Sequence, residues 1–306
     1  MKIAVLGAGA LGSVFAGLLG DAGNDVCAIR RSQEYIEAVN AKGLHVHGAS
    51  GDRTVAVKAS SDPAEVGPCE LIILAVKARD VEVVAQSLDM LADENTLLMS
   101  IQNGLGVAER LARFFPAERL LTGVAERFGA SFRGPGEVHH ASMKSIRLGG
   151  AFNALTEEVE KVAEVWRDAG FSVQTYEDVS QLVWEKFICN VTYSGITALT
   201  HKTIGEVMSD ESLWNIALGC GLEAYEVGKA KGVHFSFDDP VAYITAFGAP
   251  MPDARSSMLL DHLVKKKSEI DVINGAVPVV AREVGLQAPY NEVVSALILQ
   301  KEANFL

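Results

Sequence analysis

Residues 2–23 read KIAVLGAGALGSVFAGLLGDAG: a short apolar run, glycines at Gly7, Gly9 and Gly12, then a small-residue segment closed by Gly23. The run has the length and apolarity of a buried strand, and the segment after it has helical character. Between them Gly7-Ala8-Gly9-Ala10-Leu11-Gly12 fits G-x-G-x-x-G in the strand–loop–helix setting that holds a dinucleotide. Gly7 allows the tight turn, Gly9 lets the backbone approach a pyrophosphate, and Gly12 lets helix and strand pack closely. The phosphates then face the N–H groups and positive end of the helix.

The alternation continues outward from this loop. DVCAIR (25–30), CELIILAVKA (69–78) and TLLMSIQNG (96–104) read as core strands, with helices at QEYIEAVNAKG (33–43) and VEVVAQSLDML (81–91). LHVHG (44–48) and RTVAVKA (53–59) read as a polar hairpin. GVAERLARFF (106–115) is helical and RLLTGVAERFGA (119–130) extended, while GEVHHA (136–141) and SIRLGGA (145–151) pair as antiparallel strands. EEVEKVAEVWRDAG (157–170) is a helix and FSVQTYEDV (171–179) a last strand. Beyond about Asp178 every segment has helical spacing, and Pro278 should kink or break the stretch 256–285. The expected architecture is α/β: a Rossmann-type, doubly wound, mostly parallel sheet over residues 1–177 and an all-helical domain over 178–306.

Bulk properties agree with two soluble domains. A chain of 306 residues exceeds one average core, and 49% hydrophobic with 22% charged residues is a globular balance. A formal net charge of -12 argues against nucleic acid and anionic membranes as partners, so an anionic ligand requires locally gathered cations. No secretory leader or membrane span is expected, because glycines cut the first apolar run and no later run is long enough. Cys27, Cys69, Cys189 and Cys220 form no C-x-x-C pair and read as free thiols of a cytoplasmic protein.

Cofactor choice falls at the end of the second strand, where an acid would favour NAD. The chain has Arg30-Arg31 there, and a guanidinium suits a 2′-phosphate, so NADP (as NADPH) is expected. One of the two arginines holds the phosphate and the other is a loop cation. Lys77 and Asn103-Gly104 follow the third and fourth strands at the carboxyl edge, where α/β sheets bind ligands. In the helical half, Lys186, Asn190 and Ser194 keep i, i+4, i+8 spacing and share one helix face. A lysine among Trp184, Phe187 and Ile188 either snorkels or protonates a carbonyl oxygen as hydride arrives at the carbon. Ser257, Asp261 and Glu269 are further polar candidates, and Lys265-Lys266-Lys267 reads as a solvated helix face. The seven histidines lack metal spacing, with His139-His140 on an edge strand, and no metal is expected.

These residues in this order resemble the ketopantoate reductase (2-dehydropantoate 2-reductase) family over nearly the whole chain. The resemblance rests on GAGALG at 7–12, Arg31, VKA around Lys77, QNGLG around Asn103, GPGEVHH at 134–140, WEKFICN at 184–190, and SSMLLD…SEIDVINGAV from Ser256 to Val277. It implies NADPH-dependent reduction of a 2-oxo acid to a 2-hydroxy acid, with ketopantoate, of pantothenate biosynthesis, as the foremost substrate. It further implies Lys186 as proton donor, Asn190 and Ser257 on substrate, and Asn103 on both substrate and cofactor. Glu269 would serve the cofactor ribose, Arg31 the 2′-phosphate and Lys77 the cofactor. The family pattern has asparagines where this chain has Ser194, Ile204 and Ala254; Ser194 keeps a hydrogen-bonding group, the other two do not, and Arg255 offers a different carboxylate clamp. The alternatives are another 2-oxo or imino acid as substrate, or a non-catalytic NADP-binding sensor, which would need the loop but no proton donor. Apolar stripes on SLWNIALGCGL and VVSALILQ suit either a homodimer or the domain's own core.

Overall fold

The computed structural model describes residues 1–152 and 156–305, which divide into two compact units. One comprises Met1–Gln102 with Val107–Val179, the other Asn103–Gly106 with Ser180–Leu306. The return of Asn103–Gly106 to the helical unit is a feature that a division at 177/178 does not contain.

Among its described residues the first unit holds twelve strands: β1 (Lys2–Leu6), β2 (Asp25–Ile29), β3 (Leu44–Gly48), β4 (Gly51–Val55), β5 (Lys58–Ser60), β6 (Leu71–Leu74), β7 (Leu97–Ser100), β8 (Leu120–Glu126), β9 (Gly129–Gly134), β10 (Glu137–Ser142), β11 (Ser145–Gly150) and β12 (Val173–Thr175). Eight form one sheet in the order β12-β11-β8-β7-β6-β1-β2-β5, parallel throughout except for β11 against β8. Its middle strands β6 and β7 are buried at every position, as a parallel sheet covered on both faces requires. The helices are α1 (Ala10–Asp21), α2 (Gln33–Lys42), α3 (Val81–Ala85), α4 (Leu88–Leu91), α5 (Val107–Leu111) and α6 (Thr156–Asp168). Phe15 of α1 anchors the core with its ring edge-on to Trp166, Phe128 and Phe171 at 4.9, 5.2 and 5.9 Å.

The other four strands form a second sheet, β4-β3-β10-β9. The hairpin of β3 and β4 is as expected, but β10 does not pair with β11: it lies between β3 and β9, while β11 joins the large sheet. Strand alternation is the same for either partner, so pattern alone does not choose between them. His139 and His140 therefore occupy an interior strand. The register sets His45 opposite Glu137 and His47 opposite His139 on one face, while His140 points inward, fully buried. Helical expectation over 81–91 is likewise corrected: Ser87 turns back onto the Val84 carbonyl at 2.6 Å and splits the segment into α3 and α4. The helix after Gly106 is only one turn and a half, Val107–Leu111.

The second unit is helical: α7 (Ser180–Thr200), α8 (Ile204–Ser209), α9 (Glu211–Ala230), α10 (Pro240–Gly248), α11 (Ser257–Leu263), α12 (Ala276–Glu283) and α13 (Pro289–Glu302). Thr203, with Glu206, makes a reciprocal capping box for α8, and Asp210 and Asp239 cap α9 and α10. The stretch 256–285 breaks between Leu263 and Ala276, ahead of Pro278. Glu302 causes that break: its carboxylate accepts from His262 Nε2 at 2.9 Å and from Ser268 N at 2.8 Å, folding the chain between them into a turn. Lys265, Lys266 and Lys267 lie in this turn, not on a helix. Pro278 sits in the first turn of α12, where backbone N–H groups have no helical partner and the missing donor costs nothing.

Candidate active site

In the first unit, Leu6 is in register with both Ile29 and Leu74, so the chain leaves β1, β2 and β6 side by side at one edge. Gly7 N and Ala8 N both donate to Ile29 O at 3.1 Å, closing the turn. Gly7 has φ +89, and a Cβ there would stand 2.6 Å from Val76 N; at Gly12 it would stand 2.5 Å from Gly7 O. Both glycines are required by packing. Gly9 is different: the nearest heavy atom to its Cβ position is Gly7 O at 3.8 Å, so the fold itself tolerates a side chain there. The bare hollow over Gly9 fits a group lying against the backbone from outside. At the same point α1 begins with Gly9 as N-cap, no capping side chain and no acid in its first turn. Ala10, Leu11 and Gly12 thus present first-turn N–H groups to an anion, and a dinucleotide pyrophosphate fits this cradle.

The two arginines after β2 diverge. Arg30 Nη1 donates to Ala8 O at 2.7 Å, and its guanidinium lies over Phe132 and Tyr35 with centroids at 4.3 and 5.0 Å. Burial pulls its pKa down, with Tyr35 opposing. Arg31 is exposed and makes no hydrogen bond or ion pair among the described residues. Lys77 is half-buried where a single 3-10 turn follows β6 at the same edge.

In the second unit, α7 runs unbroken for 21 residues and carries Lys186, Asn190 and Ser194 on one face. Lys186 and Asn190 are half-buried and Ser194 is buried, with Trp184, Phe187, Ile188 and Cys189 buried beside them. The neighbouring Glu185 is buried as well and accepts from Gln181 Nε2 at 2.9 Å and Ser236 N at 2.7 Å, which fixes the start of the helix. Burial drives the Cys189 thiol and the Tyr193 phenol upward in pKa, leaving both neutral. Ser257, exposed, opens α11, and its neighbour Ser256 meets the same face: Thr197 Oγ1 stands 2.7 Å from Ser256 Oγ and donates within reach of Tyr193 O and Ser194 O.

The segments that carry Asn103 and Glu269 meet through their backbones at Val272. Leu105 N donates to Val272 O at 3.0 Å, and Val272 N donates to Glu269 O at 3.2 Å. Gly104, at φ +92, would place a Cβ 2.3 Å from Val272 O, so this approach requires glycine. Asn274, fully buried, links this turn to α7 by donating to Val191 O at 2.8 Å and to Asn291 Oδ1 at 3.0 Å. Thr197, Ser256, Asn274 and Arg30's carbonyl contact escape a reading of the sequence. For Asn291 the available signal is a polar residue within an apolar helical stretch, and for Asn274 a polar residue among the apolar Ile270, Val272, Ile273 and Val277.

Among the described residues no three His, Cys, Asp or Glu side chains converge for a metal ion, and no helix is long and apolar enough to cross a membrane. The histidine row on the second sheet, with ring centroids 5.2 Å (His45–His47) and 4.9 Å (His47–His139) apart, is occupied with Asp52 and Glu137.

Comparison with known proteins identifies the family. The model of the ketopantoate reductase PanE/ApbA family matches residues 3–152, and that of its C-terminal region matches 178–302. The chain belongs to the ketopantoate reductase family. A 2-dehydropantoate 2-reductase of Pyrococcus abyssi is 32% identical over 99% of this chain and 98% of its own. A PanE/ApbA family ketopantoate reductase of Ralstonia eutropha superposes with TM-score 0.91 at 30% identity, covering 99% of each chain. A D-mandelate dehydrogenase solved with NADH and anilino(oxo)acetate has the same fold, at TM-score 0.91 and 23% identity, covering 100% of this chain and 99% of that one. Membership of the ketopantoate reductase family makes the protein an oxidoreductase acting on CH–OH groups. Two of this chain's departures from the expected family pattern prove to be neighbours: Ile204 N donates to Ala254 O at 3.0 Å, so both apolar replacements fall in one place.

Proposed function

We propose that the protein reduces a 2-oxo acid to the 2-hydroxy acid with NADPH, 2-dehydropantoate being the foremost substrate. The observation that carries this reading is the α7 face, with Lys186, Asn190 and Ser194 a turn apart and Thr197 joining it to Ser256-Ser257. A bound reduced pyridine nucleotide supplies hydride to the carbonyl carbon. Lys186 gives a proton to the carbonyl oxygen, and its charge offsets the negative charge growing there. Asn190, Ser194 and Ser257 hold the substrate's polar groups, Asn103 serves substrate and cofactor, and Glu269 accepts from the cofactor ribose. Gly7 to Gly12 and Lys77 hold the phosphates. The 2′-phosphate falls to Arg31, a reading supported by its exposure and by Arg30's engagement elsewhere.

A second reading keeps the chemistry and changes the acceptor to another 2-oxo or imino acid. Its support is the Ile204–Ala254 pair, two apolar side chains that stand together where the family pattern has asparagines. The test is NADPH oxidation with 2-dehydropantoate beside a panel of 2-oxo acids, for the natural protein and Lys186→Ala. Turnover falling about 100-fold or more with NADPH binding intact is expected for loss of a general acid. Preference for a different acid selects the second reading, and no turnover of any acid by the natural protein refutes both and favours a sensor.

A further inference from the structure

Arg30 points away from the task that its position in the sequence suggests. Its Nη1 donates to Ala8 O, which also receives Ser13 Oγ at 3.3 Å. Ser13 Oγ stands 2.9 Å from Tyr35 Oη, and both side chains are buried. The Tyr35 ring meets Phe132 edge-on at 6.2 Å, and the guanidinium lies over both rings. Arg30 N in turn donates to Ser60 O at 3.0 Å. Two side chains, Arg30 and Ser13, thus meet at the carbonyl of the peptide plane between Ala8 and Gly9, and Tyr35 of α2 and Phe132 of β9 brace them from behind.

That plane lies at the second glycine of the loop, where the hollow over Gly9 and the uncapped start of α1 meet. A peptide group is planar, so its oxygen and its N–H point in opposite directions. Were the plane to turn over, the Ala8 oxygen would bring partial negative charge against a bound phosphate. Such a flip changes Ala8 ψ and Gly9 φ, for which Gly9 has the backbone freedom, and it would break the bond that Gly9 N donates to Gly7 O at 2.6 Å. A cation–carbonyl bond braced by two aromatic faces opposes it.

We propose that Arg30 is a positioning residue for the nucleotide loop: it pins the Ala8 carbonyl so that the loop is preorganised for a pyrophosphate, and it does not distinguish a 2′-phosphate from a 2′-hydroxyl. This rests on the pyridine-nucleotide reading above. NADPH and NADH share the pyrophosphate and differ at the 2′ position, so the two arginines separate cleanly. Losing Arg30 weakens both nucleotides by one factor, whereas losing Arg31 weakens NADPH alone.

The experiment is calorimetric titration of the full chain with NADPH and with NADH, for the natural protein and for Arg30→Met, Arg30→Lys, Phe132→Leu and Arg31→Met. Melting curves of each variant establish folding. Arg30→Met, which keeps the apolar stem, is expected to weaken both nucleotides about tenfold, the effect of one lost hydrogen bond to a charged group. The NADPH-to-NADH ratio should hold within about twofold, since nothing at the 2′ position changes. Arg30→Lys restores part of the loss, because it keeps the charge without the planar fork. Phe132→Leu removes one aromatic face without touching the loop and shows a smaller loss of the same equal kind, which tests the inference even if Arg30→Met is unfolded. Selective loss of NADPH in Arg30→Met makes Arg30 a phosphate ligand and overturns the inference, as does unchanged binding of both. A natural protein that binds neither nucleotide overturns the pyridine-nucleotide reading and this inference with it.

Discussion

Replacing Thr197 by valine removes one hydroxyl and almost no volume, from a site with no solvent exposure. That hydroxyl has three neighbours: Tyr193 O at 2.8 Å, Ser194 O at 3.1 Å and Ser256 Oγ at 2.7 Å. Its single proton goes to a helix carbonyl, so Ser256 donates to it while accepting from Leu259 N at 3.1 Å. Valine leaves the Ser256 hydroxyl proton without that acceptor. A stranded buried donor costs about 1–3 kcal/mol, and half-burial of Ser256 puts the expected value near the lower end, at about 1–2 kcal/mol. For domains of this size class the melting temperature falls by roughly 2–4 °C per kcal/mol. The functional effect follows from the neighbour: Ser257 begins α11, and the Thr197 bond joins that start to α7. The Michaelis constant for the 2-oxo acid is expected to rise about tenfold, equivalent to one such bond, while that for NADPH stays unchanged. Steady-state kinetics with each substrate varied in turn, together with thermal melts, measures both. Thr197→Ser should recover both properties. An unchanged Michaelis constant for the oxo acid in a Thr197→Val protein that has lost stability would refute the argument that this bond positions Ser257.

Two further outcomes follow from burial. His140 is fully buried, with Nδ1 3.0 Å from Ser50 Oγ and its ring stacked 4.6 Å from Phe128. Burial, aided by His139, holds its pKa below the ordinary value, against an opposing backbone bond from Ser142. The unfolded chain therefore binds the proton more readily, so stability from this residue is complete above about pH 6.5 and is lost as pH falls through the folded value. The natural protein should lose more melting temperature between about pH 7.5 and about pH 5.5 than His140→Gln, and parallel curves would count against the assignment. The four cysteines are buried, with Cys27 pushed up to about 11 and Cys220 to about 12 by desolvation, and Cys69 and Cys189 also raised. A thiol-specific disulfide reagent at about pH 8 should label none of them in the native protein and all in denaturant; rapid native labelling would refute their burial.

The glycine loop was legible because it is local. Gly7, Gly9 and Gly12 act within a few residues of one another, and the loop's flanks declare a strand and a helix by pattern alone. The same holds for Lys186, Asn190 and Ser194, whose common face follows from helical spacing once α7 is unbroken. The buried strands β6 and β7 were equally within reach, since burial of a parallel strand leaves a direct mark in composition.

What the sequence by itself determined was the class of the two halves and the identity of the chemical groups: a glycine-rich loop between strand and helix, a pair of arginines, a lysine on a helix. Only the tertiary structure decided which arginine is engaged, because Arg30's partners are a carbonyl 22 positions away and a ring from β9, 102 positions on. It also decided that β10 pairs with β3 and not β11, that the lysine run is a turn held by Glu302, and that Asn103–Gly106 packs against Val272. The reason is common to all of them. Spacing along a chain records which side chains share a face, whereas the partner of that face is chosen by hydrogen bonds and packing between segments far apart in sequence, which leave no period to read.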